Sequence, residues 1–212
     1  MTSTQIIAIV IFLVTMAAIM TEKLHRTVAA VAGALLLILT GVLSVESGFS
    51  YVDLNTLGVL IGMMLFVAVV KNSGIFEYIA IKAAKIAKGR PWPLMVLFAL
   101  ITAVLSAFLD NVTTVLLIGP MTLAITSMLR INPIPFFMTQ IMASNIGGTA
   151  TLIGDPPNIM IGSAAGLSFT DFITNTGVAV LFVLAATIVC FYFIYGRKLH
   201  VEPEAMDSIL QL

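Results

Sequence analysis

Seven apolar runs, at residues 5–20, 27–43, 54–70, 94–129, 135–142, 159–165 and 176–195, occupy most of this chain, and every Lys and Arg falls between or after them. Roughly 20 apolar residues, or ~30 Å of helix, are needed to cross a hydrocarbon layer. Several of the runs suit single crossings. The run 94–129 is too long for one crossing, while 135–142 and 159–165 are each too short. Backbone surrounded by lipid must satisfy its own hydrogen bonds, so the expected fold class is an all-α membrane protein. With 60% hydrophobic and 9% charged residues, no polar surface can be assembled that would keep such a chain in water.

The remaining composition narrows the partners. Ten basic and ten acidic side chains balance to a net charge of zero, so no basic field for nucleic acid exists. The expected partners are the lipid bilayer and a small inorganic ion or organic anion. Cys190 is the sole cysteine, which leaves neither a disulfide framework nor a thiolate cluster for a soft metal. Any cation must be held by oxygen, and no cofactor is expected. The first residues lack the positive charge of a secretory leader, so the run 5–20 reads as a retained helix.

Positive charge orients the chain. Lys23, His25 and Arg26, then Lys71, Lys82, Lys85, Lys88 and Arg90, then Arg130, then Arg197 and Lys198 mark cytoplasmic segments, while 44–53 and 162–175 carry only acidic charge. The N-terminus is then outside and the C-terminus cytoplasmic, in a multi-pass protein of the cell's inner membrane. Residues 74–88 set Ile75, Ile79, Ala83 and Ile86 opposite Lys82, Lys85 and Lys88, the pattern of a helix along the inner interface, with Trp92 beside it. Gly58 and Gly62 have the spacing of a close-packing motif. Met63, Met64, Met138 and Met142 suit gaps between helices.

Two polar interruptions carry the chemistry. The first is Asp110-Asn111, the middle of the long run. It is either the outer turn between two full crossings or the tip of a hairpin that enters and leaves on the cytoplasmic side. Each arm is ~25 Å long, short for a perpendicular crossing, and the tip is rich in Asn and Thr, with Thr113 and Thr114 following. The second is the stretch 143–158, which separates the two short runs. Gly147-Gly148 weakens a helix, and Pro156-Pro157 removes two backbone donors and turns Asp155 away from α geometry. A broken membrane helix is expected. Its freed carbonyls and the side chains of Ser144, Asn145, Thr149, Thr151 and Asn158 would line a cavity, Gly154 would permit the turn, and Asp155 would cap the second half-helix. Carboxylates at such depth are functional candidates by default, which singles out Asp110 and Asp155. There is no Ser/Lys pair, zinc motif or motif histidine, so an enzyme is not expected.

Leu109-Asp-Asn-Val-Thr-Thr-Val-Leu-Leu117 and Ser144-Asn-Ile-Gly-Gly-Thr-Ala-Thr-Leu-Ile-Gly-Asp-Pro-Pro-Asn158 closely resemble the ion transporter superfamily. The similarity is greatest to its arsenite-efflux, sodium/proton-antiporter and melanosomal P-protein branch, which carries the citrate-transporter-like domain. The resemblance implies that residues 1–200 form one inverted repeat of a secondary transporter: three spans, an interfacial helix, a re-entrant helical hairpin, a broken transmembrane helix and a last span. Residues 201–212 would begin a cytoplasmic linker. A second inverted repeat is expected downstream in the same gene, in a separate half-protein or in a second copy.

The implied activity is proton- or sodium-coupled movement of arsenite or antimonite, or exchange of sodium for protons, by alternating access. Asp110, Asn111, Asn145 and Asp155 would be the sodium ligands. Dicarboxylate-carrying relatives have neutral residues where Asp110 and Asp155 stand, and two carboxylates would repel a dianion unless cations neutralised them. A citrate or dicarboxylate symporter is the alternative. A membrane assembly half without transport of its own is the alternative of another class.

Overall fold

The structure, a computed structural model, describes residues 2–201 together with 205, 206 and 209. Most of the expected tail, 202–204, 207, 208 and 210–212, lies outside them. The described residues form helices joined by short turns, with no strand among them. The chain divides into two units, Met1–Leu54 and Asn55–Leu212.

In the first unit, α1 (Ser3–Met20) and α2 (Arg26–Leu39) pack as a hairpin, followed by the short α3 (Val45–Ser50). Close approach depends on Gly33, where a Cβ would overlap the Thr15 side chain. In lipid, where apolar surface is not driven together, such small-residue contacts are a main source of helix association. Ser44 caps α3 by accepting from the Ser47 N–H at 3.1 Å. Arg26 and Glu22 pair at 2.9 Å across the α1–α2 turn, a fully exposed contact worth little.

The second unit contains α4 (Leu54–Lys71), α5 (Ile75–Ile86), α6 (Pro91–Ser106), α7 (Asn111–Met128), α8 (Ile134–Gly148), α9 (Pro156–Ala165), α10 (Phe169–Phe172) and α11 (Val178–Ile194). A π-turn, Ile173–Gly177, joins the last two into one apolar helical run, Phe169–Lys198. The long apolar run is therefore a helical hairpin, α6 and α7, turning at Ala107–Asp110. The two short runs are the halves of a helix broken at 149–155. Among the described residues, α1, α4, α7 and the run Phe169–Lys198 are long and apolar enough to cross a membrane, whereas α2 and α6 are shorter.

α8 is the central element, lying most extensively on α6 and also against α7 and α11. The core at its foot is apolar: Leu94, Met95, Phe98, Leu129 and Phe136 are fully enclosed. α11 runs antiparallel to α8. Thr176 lies beside Ala150 of the break, Leu184 packs with Ala143, and Tyr192 meets Trp92 edge to face at 5.0 Å. Between the break and Thr176 the chain goes out along α9, turns at Gly166 in the left-handed region (φ +65°), and returns along α10 and the π-turn. Gly162 lets α9 lie against Leu152 and Phe172. The ten residues of α9 make a helix ~15 Å long.

The structure adds detail to one local expectation and changes two. The buried face of α5 is Phe76, Ala80, Ala83 and Ala84, set against α6 and α7, while Ile75 and Ile86 point outward. Small alanines allow the closer approach, and a face open to lipid has no need to hide isoleucine. Gly58 and Gly62 have open space where a Cβ would stand, so the spacing serves no packing within the described residues. Of the methionines, Met63 packs against the Val67–Phe76–Leu109 cluster, but Met64, Met138 and Met142 are exposed.

Candidate functional site

The hairpin tip and the helix break meet. Asp110 begins α7 in extended geometry, and its Oδ1 accepts from the Thr113 N–H at 2.8 Å, an N-cap that satisfies one of the four free donors of a helix start. The next residue reaches across: Asn111 Nδ2 donates to Asn145 Oδ1, in the last turn of α8, at 2.8 Å. This bond joins residues 34 apart in sequence and fixes the tip at the level of the break.

The break is braced from the hairpin side. Ser106 Oγ donates to the Ser144 carbonyl at 2.7 Å, and Thr151 Oγ1 donates to the Ala107 carbonyl. Thr151 Oγ1 also accepts from the Gly154 N–H at 3.1 Å. Asn158 Nδ2 donates back to the carbonyls of Thr151 (2.9 Å) and Gly148 (3.3 Å). Interrupting a helix in a water-poor interior frees backbone groups that cost several kcal/mol each when unpaired, on the order of magnitude typical for lipid. Thr151 and Asn158 supply partners for the Gly154 N–H and the Gly148 and Thr151 carbonyls, and Ser106 ties the last turns of α8 to the hairpin.

The glycines serve approach more than flexibility. α8 continues through Gly147 and Gly148 with ordinary helical geometry. A Cβ on Gly147 would overlap the Ala103 backbone, and one on Gly154 would overlap the Gly148 and Ser106 carbonyls. The break therefore sits directly on the end of α6.

Asp155 occupies the N-cap position of α9 in extended geometry, yet its side chain makes no cap hydrogen bond. Pro156 and Pro157 have no N–H to offer, and the Asn158 N–H already donates to the Asp155 carbonyl at 3.0 Å. The carboxylate is left for other work. It lies close to Gly148, whose Cβ would stand 3.4 Å from Oδ2, and near enough to Asp110 for the two charges to interact. Both carboxylates are partly buried.

Three cavities surround this junction. One of about 340 Å³ lies between Asp110, Asn111, Thr113, Ile153 and Pro156 and the α4 residues Leu60, Met63 and Met64. A second, about 330 Å³, opens between Asn111, Val115, Ile141 and Asn145. A third, about 350 Å³, lies on the other side of Asn145, with Thr149, Thr176 and Val183. Asn145 thus stands between two cavities, and it and Thr149 are exposed although they belong to an apolar helix pair.

The expected residues fall into three groups. Asp110, Asn111, Thr113 and Asn145 line the cavities at the tip, and Asp155 lies close by at the end of the break without lining any of the three. Ser144, Gly147, Gly148, Thr151, Gly154 and Asn158 form the brace that holds the break. Thr149 faces the third cavity, its hydroxyl donating to the Asn145 carbonyl at 2.8 Å, while Thr114 is fully enclosed and lines none of the three. Ser106 and Thr176 belong to this region and had no signal as strong as the motifs. A lone serine four residues before Asp110 in an apolar helix was the only hint of the first. For sodium, the two carboxylates and an amide oxygen are ligands of suitable hardness, although no cluster of three or more acidic, His or Cys side chains exists among the described residues.

The chain is similar to several membrane and transporter proteins. A 46 kDa membrane protein of Mycobacterium leprae is 40% identical over 98% of this chain. An uncharacterised transporter of Mycobacterium tuberculosis is 41% identical over 98% of it. The P protein of Homo sapiens is 38% identical over 91% of this chain, which corresponds to 24% of that relative. The chain spans about half (49%) of the length of the two mycobacterial relatives. The citrate transporter (CitMHS) family model matches residues 16–207, which include both polar interruptions and the helices that hold them, and the chain is a member of that family.

Proposed function

We propose that this chain is one half of a secondary active transporter, and that Asp110 and Asp155 bind the coupling proton or sodium at the junction of hairpin tip and helix break. The observation that carries this reading is the Asn111–Asn145 hydrogen bond, which ties the hairpin tip next to Asp110 to the end of α8, where the break that ends at Asp155 begins; both carboxylates are partly buried. Neither carboxylate has a basic partner within salt-bridge distance among the described residues. Charge here is best compensated by a mobile cation, and binding one changes the site's charge between loaded and empty states. Transport substrates would meet the oxygens of Asn111, Thr113, Asn145 and Thr149.

A re-entrant hairpin fits the same frame. Trp92 and Tyr192 form an aromatic pair of the kind that sits at a headgroup interface. From Tyr192 back to Thr176, the level of the break, the helical path is ~24 Å, short of a ~30 Å hydrocarbon core. The α9–α10 excursion supplies the remaining distance. The hairpin tip would then lie inside the membrane with α6 and α7 both opening toward the basic segments, and the C-terminus would be cytoplasmic.

Within transport, arsenite or antimonite movement and sodium/proton exchange suit a site with two carboxylates. The family's description as citrate transporters favours a citrate or dicarboxylate symporter as a second reading. The complete protein, reconstituted in vesicles, distinguishes them: a pH gradient with sodium, a pH gradient with arsenite, or labelled citrate. Asp110→Asn and Asp155→Asn are each expected to reduce coupled transport at least ~10-fold, the scale of losing one buried charged contact. Unchanged coupled transport in either variant would remove that residue from the ion site, and citrate uptake would replace the first substrate reading by the second.

A further inference from the structure

The chain does not leave the molecule where its last helix stops. Gly196, in the 3-10 turn after α11 (Gly196–Lys198), lies so close to Trp92 that a Cβ there would overlap the indole ring. Leu199 and Val201 then pack against the apolar cluster at the foot of α6 and α8. Further on, the Met206 backbone lies against Gly89: a Cβ on that glycine would stand 3.0 Å from Met206 Cα and 3.2 Å from its carbonyl oxygen. Ile209 has no exposed surface and belongs to the same cluster, together with Ala80, Ala83, Ala84 and Ala87. Ala205, Met206 and Ile209 all have helical backbone.

These contacts fall on α5 and its turn, which have limited means of their own to stay in place. α5 has 12 residues, ~18 Å of helix, too short to be held as a crossing. Its packed face offers α6 and α7 only Phe76 and the small side chains of Ala80, Ala83 and Ala84. The turn into α6 puts both Lys88 (φ +52°) and Gly89 (φ +66°) in the left-handed region. A residue other than glycine keeps that conformation where its surroundings impose it, and Gly89 is buried. We propose that the segment 199–209 is a strap that fastens α5 and the start of α6 to the end of α11, with the Gly89 turn as its seat and Ile209 as its anchor. Glycine suits position 89 on two counts, its positive φ and the closeness of the Met206 backbone. The inference does not depend on the transport reading.

Trypsin can read the strap at both of its ends. It cuts after Lys88, in the seat, and after Lys198, where the strap begins, whereas Arg90 precedes a proline and is not cut. Cleavage of a folded protein follows the local opening of the segment that is cut. The test uses the complete natural protein, purified in detergent, with the cut bonds identified by mass spectrometry. Ile209→Asp places a carboxylate in an apolar enclosure and should release the strap. Cleavage after Lys198 and after Lys88 should then both accelerate at least ~5-fold, while cleavage after Lys23, in the first unit, stays constant. Acceleration after Lys198 alone would overturn the proposal, because the segment would have detached without loosening the turn. No acceleration at either bond would overturn it too. If cleavage after Lys23 rises in step, the substitution has unfolded the whole chain. Ile209→Ala, which removes the contact without adding charge, then decides by the same two bonds.

Discussion

Asp110 and Asp155 are both helix-cap residues, and chemically they have little else in common. Asp110 spends one oxygen on the Thr113 N–H, while Asp155 precedes two prolines that give its carboxylate no donor to cap. Nearby side chains divide in the same way between holding the backbone and facing cavities. Thr151 belongs to the first kind, bridging the Ala107 carbonyl and the Gly154 N–H. Thr151→Val is expected to lower stability by roughly 1–3 kcal/mol, because it strands a donor and an acceptor at once; a melting curve in detergent checks this. Gly147→Ala is expected to be more severe, since the new methyl group would meet backbone that cannot rotate away. Loss of folded protein on size-exclusion chromatography is its measure. Gly58→Ala, with open space around it, should leave both readouts unchanged.

At the scale of elements, α5 shows how far periodicity reaches. Apolar residues at 75, 79, 83 and 86 do lie along one side of a helix, with Ile75 and Ile86 left outward, while the face packed on the protein is Phe76, Ala80, Ala83 and Ala84. In water the largest side chains would be turned inward; beside lipid they can stay outside, and close approach decides the face. Ala84 has no exposed surface, whereas Ile86 is 63% exposed. Ala84→Leu is therefore expected to cost roughly 1–3 kcal/mol by overpacking, and Ile86→Leu close to nothing, as thermal unfolding in detergent would show. The hairpin and the broken helix were legible because each is announced by residues with few structural alternatives: a lone carboxylate in an apolar run, and paired glycines and prolines between two short ones. The brace between them was not legible, since Ser106 bonds a carbonyl and any nearby hydroxyl could have done so.

On the scale of the whole molecule, the chain has half the length of its mycobacterial relatives and leaves polar groups uncovered where they matter. Asn145 and Thr149 are exposed between cavities, at the level of the tip. A surface of this kind is completed by protein in preference to lipid, because lipid offers no hydrogen bonds. With Cys190 replaced by Ser, a cysteine introduced at Thr149 should react with a maleimide in this chain alone. It should be protected several-fold when the complementary half is co-expressed. Equal labelling in both would mean that the half covers another face. Coupled transport is expected only from the completed protein, and transport by this chain alone would show that one repeat suffices.

The sequence by itself determined the medium and the interruptions. Lipid dictates helices, because unpaired backbone is costly there, and Asp110, Gly147-Gly148 and Pro156-Pro157 mark where helices cannot run on. The family resemblance implies that the two interruptions face each other, and tertiary structure alone decided which atoms join them. A hydrogen bond between Asn111 and Asn145 requires α6, α7 and α8 to cross at one height, and that height follows from alanine, glycine and serine contacts spread along three helices. No local pattern encodes it. Each of those small residues is unremarkable in its own segment, and the carboxylates become a pair only once the helices have packed.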